Sequence, residues 1–170
     1  IATEQGFRVN RALLAQHIAN KEDGNLIYFN QTNWKYENGL WEMLDDIHVK
    51  SHIHNFISDR KDALRSLTNA LVEDIFKQLG MILIVKRHFS FNQNPMFLNF
   101  INGTLDLKEG KFSDNHNRDL YQNVQFPFSF DRDQKCPLWL NFLKSLEFDQ
   151  HTIMRLQEWV GYCLFPKVIG

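Results

Sequence analysis

Apolar positions in this chain recur every three or four residues through most of its length and every second residue near its middle. The elements follow from that change of period. Residues 7–20 place Val9, Leu13, Leu14 and Ile18 together, with Asn10 set to cap, and predict an amphipathic helix ended by Lys21-Glu22-Asp23-Gly24-Asn25. Leu26-Ile27-Tyr28-Phe29 reads as a strand, Asn33-Trp34-Lys35-Tyr36 as its hairpin partner and Glu37-Asn38-Gly39 as a closing turn. Residues 40–57 carry Leu44, Ile47, Ile53, Phe56 and Ile57 at helical spacing, and two helices broken near Lys50-Ser51 are expected. The clearest helix covers residues 62–79. There Leu64, Leu67, Leu71, Ile75 and Leu79 share one face, Arg65, Asn69, Glu73 and Lys77 take the other, and Gly80 is the expected stop. Residues 81–85 are apolar throughout and fit buried helix or strand equally.

The period then shortens. After an aromatic, Asn-rich loop over residues 89–95, the run Phe97-Leu98-Asn99-Phe100-Ile101 meets Asn102-Gly103, and Leu105 and Leu107 then alternate with polar residues up to Gly110. Asn and Gly both accept positive φ, so Asn102-Gly103 is expected to turn a hairpin. Residues 113–117 form a polar turn, and residues 124–130 read as an edge strand because Pro127 has no N–H to donate. Pro137 suits the first position of a helix over residues 138–146, and Asp149 suits the cap of a last helix with Ile153, Leu156, Val160 and Cys163 inward and Pro166 as its stop. Trp139, Phe142, Trp159 and Tyr162 are expected to be packing residues. A lone ribbon is marginal in water, so the flanking helices are its expected cover. The sum is an α+β fold, mostly helical. A helical lobe with a small aromatic strand pair spans 1–88, and a lobe of hairpin plus helices spans 89–170.

Composition narrows the class. The 170 residues include 15 Phe, enough for a well-filled core and against disorder. No apolar run approaches a membrane span and the start lacks a signal-peptide core, so a cytoplasmic protein with no membrane partner is expected. The chain opens on Ile1 and stops at Gly170, and it reads as a piece of a longer protein. Cys136 and Cys163 have no partner spacing for a disulfide framework or a zinc knuckle. Nineteen basic and twenty acidic side chains give a net charge of −1. Only residues 50–88 are basic, with seven cations against four acids. A local patch of that kind steers a phosphate backbone even on a neutral chain.

A catalytic constellation is missing from the sequence. No Gly-x-x-x-x-Gly-Lys-Ser/Thr string exists to hold nucleotide phosphates. Asp45-Asp46 and Asp131-x-Asp133 lack a third acid for a two-metal centre, so caps and turns are their expected use. His48, His52 and His54 have no Glu, Cys or Asp beside them in sequence and are read as ordinary histidines; no metal ligand and no catalytic residue is assigned. Cys136 is read as a packed thiol or a neighbour of a helix cap. For nucleic acid the candidates are Lys50, Arg60, Lys61, Arg65, Lys86 and Arg87, with Trp34 and Tyr36 as stacking surfaces. The competing reading gives the cations a solvated helix face and buries the two aromatics in a small β core, which is favoured for Trp34 and Tyr36.

Several strings then occur in a recognisable order. Asn102-Gly103 with Leu105, Asp106, Leu107 and Gly110 is followed by Phe126-Pro127-Phe128 and Phe130-Asp131. Next come Cys136-Pro137-Leu138-Trp139 with Phe142-Leu143, and then Leu156-Gln157-Glu158 with Gly161-Tyr162-Cys163-Leu164. This succession resembles the segment preceding the motor domain of phage, plasmid and poxvirus primase-helicases, replicative helicases of superfamily three that are often fused to a primase. The resemblance implies a non-catalytic connector in DNA replication of a virus or mobile element. It would contact single-stranded DNA and assist ring assembly with other subunits, and ATP and magnesium would belong to the motor of the parent protein. The alternative from another class is a protein–protein adaptor that docks a replication partner without touching DNA.

Overall fold

The computed structural model describes residues 10–60, 67–86 and 88–163, together with the backbone of residues 2–3 and 6–7. The fold is α+β, and it divides into two compact units, Ile1–Glu37 with Trp41–Phe89 and Asn38–Leu40 with Ser90–Gly170.

In the first unit, β1 (Ala2–Thr3) and β2 (Gly6–Phe7) pair antiparallel. Helix α1 (Arg11–Lys21) follows, and Asn10 caps it as expected, its Oδ1 accepting from Leu13 N at 3.1 Å. Strands β3 (Leu26–Phe29) and β4 (Thr32–Glu37) form the expected hairpin, with Ile27 opposite Trp34. Asn30 and Gln31 at the turn both take positive φ, the geometry whose twist matches the strands.

Residues 40–44 correct the sequence reading. They form β5 (Leu40–Leu44), giving the sheet order β3-β4-β5, because Asn38 (φ +50) and Gly39 (φ +84) make a second tight turn ahead of them. Helix α2 (Asp46–Ser58) then runs unbroken through Lys50-Ser51. Asp46 in its first turn accepts from the buried Asn33 Nδ2 at 2.8 Å, which ties the helix start to β4.

Helix α3 (Asn69–Leu83) is capped by Thr68, whose Oγ1 accepts from Leu71 N at 3.2 Å. The part of the expected helix at residues 62–66 lies outside the described residues. Gly80 does not stop it: the helix passes through that position, where a Cβ would meet only the ring of Tyr28 at 3.9 Å, an ordinary contact. The apolar 81–85 stretch therefore begins as helix, then turns extended, with Val85 N donating to Tyr28 O at 3.2 Å. Ala15 and Ile18 of α1, Val49, Ile53 and Ile57 of α2, and Leu71, Ile75 and Leu79 of α3 meet in one core, at the three- and four-residue spacing of helix faces.

The second unit is built on the antiparallel sheet β6 (Phe97–Phe100), β7 (Gly103–Asp106) and β8 (Lys111–Ser113). Leu98, Leu105 and Phe112 lie side by side across it. Phe100 pairs with Gly103, so the two turn residues are Ile101 and Asn102, one position earlier than the sequence suggests. Gly103 takes φ +149 at the head of β7, and a Cβ there would collide with the Ser113 carbonyl oxygen. Gly110, at φ +62, turns the chain into β8, while Asp106 Oδ1 accepts from Lys108 N at 2.8 Å and Glu109 N at 3.2 Å. Leu107 N donates to Met96 O at 2.8 Å.

Residues 122–130 run along the free edge of β6, as an irregular segment with one parallel bridge between Phe100 and Phe126. Phe126 N donates to Asn99 O at 2.8 Å, and Pro127 takes the position that needs no donor. The rings of Phe126, Phe128 and Phe130 lie 5.0, 5.8 and 5.3 Å from Phe100, and Phe112 stacks on Phe130 at 4.9 Å. This aromatic cluster covers the sheet. Asn99 Nδ2 donates to Gly39 O at 2.9 Å, and the ring of His116 lies where a Cβ on Gly39 would be.

Helix α4 (Pro137–Ser145) begins on Pro137 as expected, and α5 (Gln150–Cys163) begins after Asp149, whose Oδ1 accepts from Thr152 N at 2.7 Å. Their apolar side chains do not behave as expected. Trp139 is half-buried, 5.6 Å from Phe142, and Leu143 is buried, but Leu138 is 85% and Trp159 64% exposed. Phe142, Val160, Tyr162 and Cys163 are exposed as well, and no residue of α5 is buried. The phenylalanines of residues 126–130 supply the cover that Trp139, Phe142, Trp159 and Tyr162 were expected to give. Gly161 has open space around it. Among the described residues no helix is long and apolar enough to cross a membrane.

Candidate nucleic-acid interface

A cation serves a phosphate only if its charge is not already taken, so the ion pairs of the first unit sort its basic residues. Lys50 Nζ lies 2.6 Å from Glu73 Oε1 and 4.9 Å from the centre of the Phe76 ring, which makes it a tie from α2 to α3. Arg11 pairs with Asp74 at 3.0 Å. Lys35 lies 3.6 Å from Glu22 and 3.3 Å from Glu37. Glu22 is buried and also meets His52 Nδ1 at 3.2 Å, so a histidine with no acid beside it in sequence has one across the fold. His54 sits near Ser58 of its own helix, and among the described residues no cluster of His, Cys, Asp and Glu is arranged to hold a metal ion.

Among the described residues of the first unit, Lys21, Arg60, Lys77 and Lys86 have no carboxylate partner, and the first two converge on one ring. Arg60 follows the end of α2, and its guanidinium carbon lies 3.7 Å above the centre of Phe56, while its Nη1 donates to Phe56 O at 3.2 Å. Lys21, the last residue of α1, has Nζ 5.5 Å from the same ring centre, and the His17 ring is 6.3 Å away. The helix periods explain the meeting: Phe56 is 6% exposed on the core face of α2, one turn before Arg60, and His17 and Lys21 are one turn apart on α1. These residues, with Asn20 and Asp59, line an open cleft of about 590 Å³. Five of the six bring a polar or charged group, and Asp59 is the one acid. Both cations also stand at carbonyl ends of helices, which favours them there in the absence of any ligand.

The other sequence candidates fall elsewhere. Lys86 is exposed in the stretch after α3. Trp34 and Tyr36 are half-buried in β4, Tyr36 at 5.4 Å from the buried Trp41 ring, so neither ring stands free in solvent. Lys61, Arg65 and Arg87 lie outside the described residues. Sequence reasoning found Arg60 and missed His17, Lys21 and Phe56. Lys21 reads as part of a charged helix end, and the signal that finds it is its four-residue step from His17 along one side of α1.

No curated protein matches the chain. The family model described as D5 N terminal like matches residues 11–146, across both units. The chain therefore belongs to the D5 N terminal like family, the N-terminal domain of phage and viral D5-type primase-helicase proteins of DNA replication.

Proposed function

We propose that this domain is a non-catalytic connector of a replicative primase-helicase of superfamily three, working in the host cytoplasm on single-stranded DNA and in ring assembly. The observation that carries the DNA contact is the convergence of Lys21 and Arg60, two cations without a carboxylate partner among the described residues, on one cleft of the first unit. Its sequence holds no phosphate loop, and in this reading ATP and magnesium belong to a motor elsewhere in the parent protein. The open apolar side chains of α4 and α5 support the assembly role, since a monomer seldom leaves Leu138 and Trp159 in water without use. They also favour the second reading, an adaptor that docks a protein partner without DNA affinity. A low-salt titration of the chain with a labelled unpaired oligonucleotide separates the two. The connector reading expects saturable binding that salt weakens, and absence of binding at low salt leaves the adaptor reading standing.

A further inference from the structure

We infer that the Phe56–Arg60 pair is a stacking platform for one unpaired nucleobase, with Lys21 and His17 receiving the adjoining phosphate. The inference rests on the DNA-contact reading above and says how that contact is made. A planar guanidinium carbon at 3.7 Å from a ring centre is at stacking distance, so one face of Arg60 lies on Phe56. The bond from Nη1 to Phe56 O fixes the plane, and burial of Phe56 in the core fixes the ring beneath it. Arg60 lines the cleft, and its other face is a flat, charged, pre-oriented surface. Bases stack on such guanidinium planes when they are unpaired, whereas a base inside a duplex has both faces occupied. Lys21 and His17 stand on α1 beside the same ring and offer N–H groups to a phosphate oxygen. Asn20 adds an amide able to meet a base edge. Asp59 repels a phosphate, so the backbone is placed on the α1 side of the cleft and the base on the α2 side.

The test compares three ligands on the unaltered chain by fluorescence anisotropy at low salt: a thymidine oligomer, an abasic deoxyribose-phosphate oligomer of equal length, and a duplex. The thymidine oligomer is expected to bind roughly tenfold tighter than the abasic one, and the duplex to bind no better than the abasic chain. Arg60→Lys, which keeps the charge and loses the plane, is expected to bring thymidine binding down to the abasic level. Asp59→Asn is expected to tighten all three. Equal affinity for thymidine and abasic oligomers overturns the platform while leaving DNA contact intact. No binding of any oligomer overturns the DNA reading and the platform with it.

Discussion

The side-chain amide of Asn102 closes a two-way pair with the backbone of Phe130, which donates its N–H to Asn102 Oδ1 at 2.8 Å and accepts from Nδ2 at 3.0 Å. Asn102 thus acts as a strand partner at the end of the aromatic segment, holding Phe130 over Phe112 and Phe100. The Asn-Gly motif has two separate reasons: the amide is needed for that pair and the glycine for the close approach of Ser113. Replacing Asn102 by Ala is expected to cost about 1 kcal/mol in urea unfolding, the scale of partly exposed hydrogen bonds. Asn102→Asp keeps the acceptor alone and should lose less. Gly103→Ala should cost more than about 2 kcal/mol, because φ +149 and the Ser113 carbonyl both oppose a side chain.

Lys50 has a structural task that its sequence position does not show. Its pair with Glu73 is partly exposed, with the two side chains 28% and 46% accessible, so its worth is expected near 0.5 kcal/mol in a double-mutant cycle. Lys50→Ala should therefore lower stability slightly and leave oligonucleotide affinity within about twofold of the unaltered chain. A tenfold drop in affinity would give Lys50 the role assigned here to Lys21 and Arg60.

Asp149 gives the last helix an acid-sensitive start. Hydrogen bonds to its carboxylate from the Thr152 backbone and then the Thr152 side chain hold its pKa below the ordinary 3.8. A lowered folded-state pKa means that the cap contributes in full above the unfolded-state value and loses that contribution as pH falls through the folded one. Circular dichroism should show helix loss on acidification through that window. Asp149→Asn, which keeps an acceptor and does not titrate, should remove this acid-dependent step.

The open face of α4 and α5 makes a stability prediction opposite to that of a core. Leu138→Ser and Trp159→Ser should each change the unfolding free energy by less than about 0.5 kcal/mol. Ile75→Ala, at a position with no exposure, should cost about 2–5 kcal/mol. A large cost at Trp159, read in the same denaturant series, would mean that this ring is packed in the folded chain.

Helix positions are legible where a cap and a period agree, as at Asn10 with α1 and Asp149 with α5. Period misleads where turn chemistry outweighs it. Leu40 and Leu44 fit a helix, yet Asn38 and Gly39 at positive φ reverse the chain and commit residues 40–44 to the sheet. Gly80 has the look of a stop, but the apolar residues after it carry the helix on. Amphipathic spacing in α4 and α5 identifies helices and says nothing of whether a cover exists for their apolar side. The cleft at Phe56 is half legible, because Arg60 lies in the basic stretch whereas His17 and Lys21 reach it only through the packing of α1 and α2 against α3.

The most direct measurement is the salt dependence of thymidine-oligomer binding to the unaltered chain and to the double variant Lys21→Glu, Arg60→Glu. The account predicts that log affinity falls linearly with log salt, that the variant binds more weakly at every salt concentration because the Arg60 plane is gone, and that its slope is shallower by about 0.7 for the one phosphate Lys21 no longer neutralises. Identical slopes and affinities for the two proteins would contradict it.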